Sequence, residues 1–132
     1  MLKYMLDTNI VIYVIKRRPL EVLQTFNELT GLLCISAITV SELKHGVEKS
    51  QQPAHNRRQV EDFLSRLDIL DYGQKAADHY GDIRASLEKQ GQIIGINDLH
   101  IAAHARSEGL IIVTNNTKEF SRVSGLRVEN WL

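Results

Sequence analysis

The sequence predicts an α/β fold in which one parallel sheet is covered by helices on both faces. Three observations point to it. Short apolar runs recur without the polar alternation of a half-wetted strand, as strands buried on both faces require. Between the runs, apolar residues recur at helical spacing. Acids and small polar residues stand directly after several runs, where the carboxyl ends of parallel strands collect ligand-binding groups.

The elements follow in order. "YML" (4–6) reads as the first buried strand and hands over to Asp7-Thr8-Asn9, where Asp7 has the character of an N-cap for a helix beginning near Asn9. The apolar run Ile10 to Ile15 is far too short to span a bilayer. "LLCIS" (32–36) reads as the second strand. "TVSE", Thr39 to Glu42, has the form of a capping box at a helix start. Val60, Phe63, Leu64 and Leu67 repeat at helical spacing, and "LDIL" (67–70) reads as a third buried strand. Ala76, Tyr80, Ile83 and Leu87 mark another helix, and Gly91 and Gly109 sit where C-terminal caps belong. Asp98 opens the helix of "GINDLHIAAHA", whose N-terminal dipole favours an acid. "LIIVT" (110–114) and "LRVE" (126–129) complete the strands.

No linker or repeat divides the chain, so residues 1–132 form a single domain. With 43% apolar and 24% charged residues the composition is that of a globular protein rather than a disordered one. Lysine plus arginine and aspartate plus glutamate balance at 16 each, so no overall field draws in nucleic acid, although a local basic stripe needs no net charge. The one cysteine, Cys34, lies in an apolar run and reads as a buried reduced thiol, which suits a cytoplasmic protein.

Asp7, Glu42 and Asp98 each have an ordinary explanation as helix-start residues. Converging on one sheet edge, they do not. Uncompensated carboxylates repel, and one must take up a proton unless a cation joins them. An oxygen-only cluster suits Mg²⁺ or Mn²⁺. Such an ion polarises a phosphoryl oxygen and acidifies a bound water, which suggests metal-assisted phosphodiester hydrolysis.

The stretches "MLDTN", "ISAITVSEL" (35–43), "INDLHIAAHA" (96–105) and "VTNNTKEF" (113–120), with the closing "VENW", occur in this order over nearly the whole chain. In them the chain resembles the PIN-domain ribonucleases, and within these the VapC toxins of VapBC toxin–antitoxin pairs. The resemblance implies an αβα sandwich with a central parallel sheet. It also implies a catalytic pocket of Asp7, Glu42 and Asp98, with Asp7 and Asp98 as direct Mg²⁺ ligands and Glu42 completing the pocket through water. Many PIN domains carry a fourth acid where this chain has Asn116; Glu119, three residues on, can supply that charge if a short helix turns it inward. Asn9 and Thr114 are expected to orient acids or waters. The resemblance further implies a cytoplasmic homodimer held inactive by a VapB-like antitoxin. Its substrate would be RNA, with initiator tRNA cut in the anticodon stem-loop as in the enteric-type branch.

Other constellations are weaker. His100 and His104 stand four apart and could share zinc, but the glutamate of a zinc protease is replaced by Ile101. Lys16-Arg17-Arg18 and Arg57-Arg58 are basic clusters able to meet phosphates. No glycine-rich phosphate loop is present, and Asn9 replaces the second aspartate of a haloacid-dehalogenase phosphatase. A receiver domain would need its acceptor near Asp71 and a pair of acids after the first strand, where only Asp7 stands. The rival of another class is a catalytically silent PIN fold that binds RNA or protein.

Overall fold

The computed structural model describes residues 1–132. Its elements alternate as β1 (Tyr4–Leu6), α1 (Thr8–Lys16), α2 (Leu20–Glu28), β2 (Leu33–Ser36), α3 (Ala37–Glu48), α4 (Pro53–Leu64), β3 (Asp68–Leu70), α5 (Gln74–Lys89), α6 (Ile96–Ser107), β4 (Ile111–Val113), α7 (Thr117–Phe120) and β5 (Val128–Glu129). The five strands form one sheet in the order β3-β2-β1-β4-β5, and every pairing is parallel. The α/β expectation holds, with each strand where an apolar run stood.

Strand periodicity builds the two layers. Side chains alternate across a strand, so Tyr4 and Leu6 of β1 enter one core with Val11, Val14, Val22, Phe26 and Phe63. Met5, between them, enters the other core with Ile83, Leu87, Leu99, Ile101 and Phe120. Helices α1, α2 and α4 thus cover one face, and α5 and α6 the other. Gly91 and Gly109 end α5 and α6 at φ of 66° and 67°, a conformation open to glycine at no steric cost. No helix is long and apolar enough to cross a membrane.

Three sequence expectations are corrected. Glu42 is not part of a capping box, because β2 runs to Ser36 and α3 begins at once. Ser36 itself is the cap, its Oγ accepting from the Ile38 N–H at 3.1 Å, and this puts Glu42 in the second turn. "LDIL" is not doubly buried: β3 is an edge strand, with Asp68 and Ile69 exposed. Leu67 continues the spacing of Val60 and Phe63, but α4 has ended at Leu64. Helix α2 had no counterpart in the sequence reading.

The topology places the site. From β1 the chain winds outward to β2 and β3, then crosses back to β4 and β5 on the other side. The switch point is therefore at β1, where neighbouring connections leave in opposite directions and open a crevice. Asp7 is the residue that follows β1.

Candidate active site

Asp7 is 3% exposed and performs two tasks. Its Oδ1 accepts the Ile10 N–H at 3.0 Å and caps α1. Its Oδ2 accepts the hydroxyl of Thr114, which is fully buried at the end of β4. Thr114 Oγ1 in turn accepts the Asn116 N–H at 2.9 Å. The Asp7 backbone N–H donates to Val113 O at 2.9 Å, so the carboxylate hangs from the sheet and its orientation is set by two strands. Burial pushes its pKa above the usual carboxylate value, the Thr114 and Ile10 hydrogen bonds pull it back, and the charge of Glu42 raises it.

Glu42 arrives from α3. Thr8 Oγ1 donates to its Oε1 and Asn97 Nδ2 to its Oε2 at 3.2 Å, which ties α3 to the first turns of α1 and α6. Asp98 lies in the first turn of α6, half-buried. Its pKa is pushed up to about 7 by burial first, then by a hydrogen bond with Glu119 and the charges of Glu119, Asp7 and Glu42. These causes place four carboxylates within mutual electrostatic reach. Glu119 stands on α7, where Asn116 Nδ2 donates to its Oε2.

No cation is paired with any of the four acids: the ion pairs of this protein all lie elsewhere. Carboxylates gathered without a partner cost stability through desolvation and repulsion. Oxygen donors at the mouth of a crevice fit a hard divalent ion. As they stand, no three acidic, histidine or cysteine side chains close on one point. Glu42 is turned onto Thr8 and Asn97, and Glu119 onto Asn116, so the fit rests on the donor set and its unbalanced charge.

The PIN-domain family model matches residues 4–126. The chain belongs to the PIN-domain family. Within it the relatives are VapC proteins. The chain is 66% identical to "Ribonuclease VapC2" of Haemophilus influenzae, over 100% of both chains. It is 56% identical to "tRNA(fMet)-specific endonuclease VapC" of Shigella flexneri, over 99% of both. Among solved structures, DNA-bound VapBC from Salmonella typhimurium superposes with a TM-score of 0.96 at 50% identity, covering 100% of both chains.

In this PIN domain the structure brings together Asp7, Glu42, Asp98 and Glu119. The short helix α7 performs the inward turn that Glu119 needed. Asn116 stands beside Glu119 as a hydrogen-bond donor rather than as a fourth acid. Thr114 donates its hydroxyl to Asp7. Asn9 reaches Asp7 only through its backbone N–H, its residue being exposed. Thr8 and Asn97 escaped the sequence reading; their one signal was adjacency to Asp7 and Asp98. His100 and His104 form no metal site: no third acid, histidine or cysteine joins them, and the Tyr72 ring packs edge-on against both imidazoles, whose Nδ1 atoms meet the hydroxyls of Tyr72 at 2.8 Å and Ser36 at 2.7 Å. His104 is 1% exposed and belongs to the core.

Proposed function

We propose that this PIN domain is a Mg²⁺-dependent endoribonuclease toxin whose hydrolysis of tRNA stops translation. The observation that carries the proposal is the set of four carboxylates, Asp7, Glu42, Asp98 and Glu119, gathered at the sheet's switch point with no cationic partner. Asp7 and Asp98 would hold the ion directly, Glu42 would complete the pocket through water, and Mn²⁺ could substitute. A bound ion supplies polarisation of a phosphoryl oxygen and a more acidic water. The chain supplies orientation: Thr114 and the start of α1 fix Asp7, Thr8 and Asn97 fix Glu42, and Asn116 fixes Glu119.

The tRNA substrate, and initiator tRNA in particular, is supported by the name of the Shigella relative, and cleavage in the anticodon stem-loop is part of the same proposal. A VapB-like antitoxin is supported by the VapBC complexes among the neighbours. Dimerisation and action in the cytoplasm complete the reading. Asn116, an amide where many PIN domains carry an acid, favours the second reading of a silent RNA- or protein-binding module.

Products separate the two. Purified protein with total tRNA and Mg²⁺ is expected to yield fragments with 5′-phosphate and 3′-hydroxyl ends, and none in excess EDTA. Attack by the RNA's own 2′-hydroxyl would need a base and an acid on opposite sides of the phosphate. His100 and His104 both sit on α6 and are engaged by hydroxyls, an arrangement unsuited to that task. Cyclic phosphate ends formed in EDTA would overturn the metal route, and intact tRNA would favour the silent module.

A further inference from the structure

Of the two basic clusters in the sequence, the fold uses only part. Arg57 is spent on Glu48 at 2.6 Å. Its neighbour Arg58 is unpaired and lines a hollow between α1 and α4 together with Arg17, His55 and Arg66. That hollow adjoins a second, lined by Lys16, Arg17 and Arg18, with Gln59 and Ile15 common to both. Asp62 is the one carboxylate present in these two hollows, and Arg66 holds it at 2.9 Å. Lys16, Arg17, Arg18 and Arg58 have no acidic partner. In a chain of zero net charge, four free cations thus gather in one cleft.

The cleft is continuous with the acidic site. A third hollow runs from Lys16, Ile15 and Gln59 to Thr8 and Glu42, over Ile12 and Val60. Helix α1 bridges the two ends: Asp7 caps its start, and Lys16 closes its last turn. At 1.5 Å per residue the two ends lie about 12 Å apart, a span of a few nucleotides. A helix C-terminus accounts for a cation such as Lys16. It does not account for Arg58, which α4 contributes from its middle. Arg17 adds an outlier, ending α1 at φ 59°, a left-handed conformation that L side chains rarely adopt. In that conformation Arg17 lines both basic hollows.

We propose that the cleft between α1 and α4 is a phosphate track that holds RNA backbone a few nucleotides from the bond being cut. The proposal rests on the ribonuclease reading. Lys16, Arg17, Arg18 and Arg58 meet phosphates, while Gln59 and the apolar floor of Ile12, Ile15 and Val60 face the sugar–base side of the strand. The acids alone would repel the phosphodiester they must approach, and a cationic anchor along the same groove offsets that repulsion.

The test compares two triple variants of equal charge change. One removes Arg17, Arg18 and Arg58 as glutamines; the other replaces exposed Lys3, Lys75 and Lys89 by glutamine. For cleavage of a stem-loop RNA, the first is expected to raise KM about tenfold, with the loss falling on KM rather than kcat. Its plot of log kcat/KM against log salt should be shallower by about two, at roughly 0.7 for each single-strand phosphate that the protein no longer neutralises. The second should keep the wild-type slope. Binding of the same RNA, measured by anisotropy on an Asp98→Asn background, should show the same difference without any turnover. That readout separates failure of the track from failure of the ribonuclease reading. Wild-type KM and slope in the first variant would overturn the track, as would an equal shift in the second. Unchanged RNA affinity with lost affinity for a protein partner would assign the cleft to that partner instead.

Discussion

Asp7 and Asp98 are both aspartates at helix starts, both carry raised pKa values, and both face the same crevice. Their surroundings differ in kind. Asp7 is met by donors, the Ile10 N–H and the Thr114 hydroxyl. Asp98 is met by other acids, above all Glu119. The fold thus needs one of these carboxylates and merely tolerates the other. A capping aspartate contributes about 1 kcal/mol to its helix. A carboxylate pressed against carboxylates costs stability whenever it is ionised. On the proposed reading, Asp98 and its acidic neighbours would attract a cation and Asp7, held by its donors, would place it.

The largest effects should hide this contrast. Asp7→Asn and Asp98→Asn are each expected to lower RNA cleavage by at least about 10³-fold at limiting Mg²⁺, since either amide removes charge from the ion's site. Wild-type rates in either variant would remove that residue from the site.

Stability should then expose the contrast. Without metal at pH 8, Asp7→Ala is expected to melt several degrees below wild type, because the α1 cap and the partner of buried Thr114 are both removed. Asp98→Ala should melt above wild type, because repulsion is relieved. Equal destabilisation by both would break the comparison.

Thr114→Val sharpens it from the Asp7 side. The isosteric change removes the donor to Asp7 and the acceptor of the Asn116 N–H. Activity should fall roughly 10- to 100-fold, as for groups that orient metal ligands. A magnesium titration should show weaker apparent affinity, and an unchanged titration would mean that α1 alone orients Asp7.

The pH dependence of folding probes the Asp98 side. Its folded pKa, about 7, lies above the ordinary value of 3.8, so the folded chain holds this proton more tightly than the unfolded chain does. Its favourable contribution is full below pH 4 and is lost as pH rises to about 7. Asp98 should accordingly lower the metal-free melting temperature as pH rises from about 4 to 7, against the opposite pull of His100 and His104, whose pKa values burial lowers, and calorimetry measures the slope. Asp98→Asn should remove the downward part of that slope.

The smallest expected difference lies between Glu119→Gln and Asn116→Ala. Glu119 contributes charge beside Asp98, whereas Asn116 contributes one hydrogen bond to Glu119. The first should weaken the magnesium response more than the second. Identical titrations of Glu119→Gln and wild type would reduce the site to three acids.

The strands, the parallel α/β architecture and the position of Asp7 and Asp98 at element ends are legible in the linear chain. These are local signals: an apolar run of buried strand and a polar residue at the next helix start are read within a few positions. The acids available to a site are legible there too. How they meet depends on long-range packing. Thr8 and Glu42 are 34 residues apart, and the starting phase of α3, set by Ser36 rather than by Thr39, turns Glu42 onto Thr8. Glu119 reaches Asp98 because α7 folds back after β4. Adjacent Arg57 and Arg58 look equivalent in sequence. The packing of α4 gives one to Glu48 of α3 and leaves the other in the cleft, because neighbours on a helix project about 100° apart and face different partners.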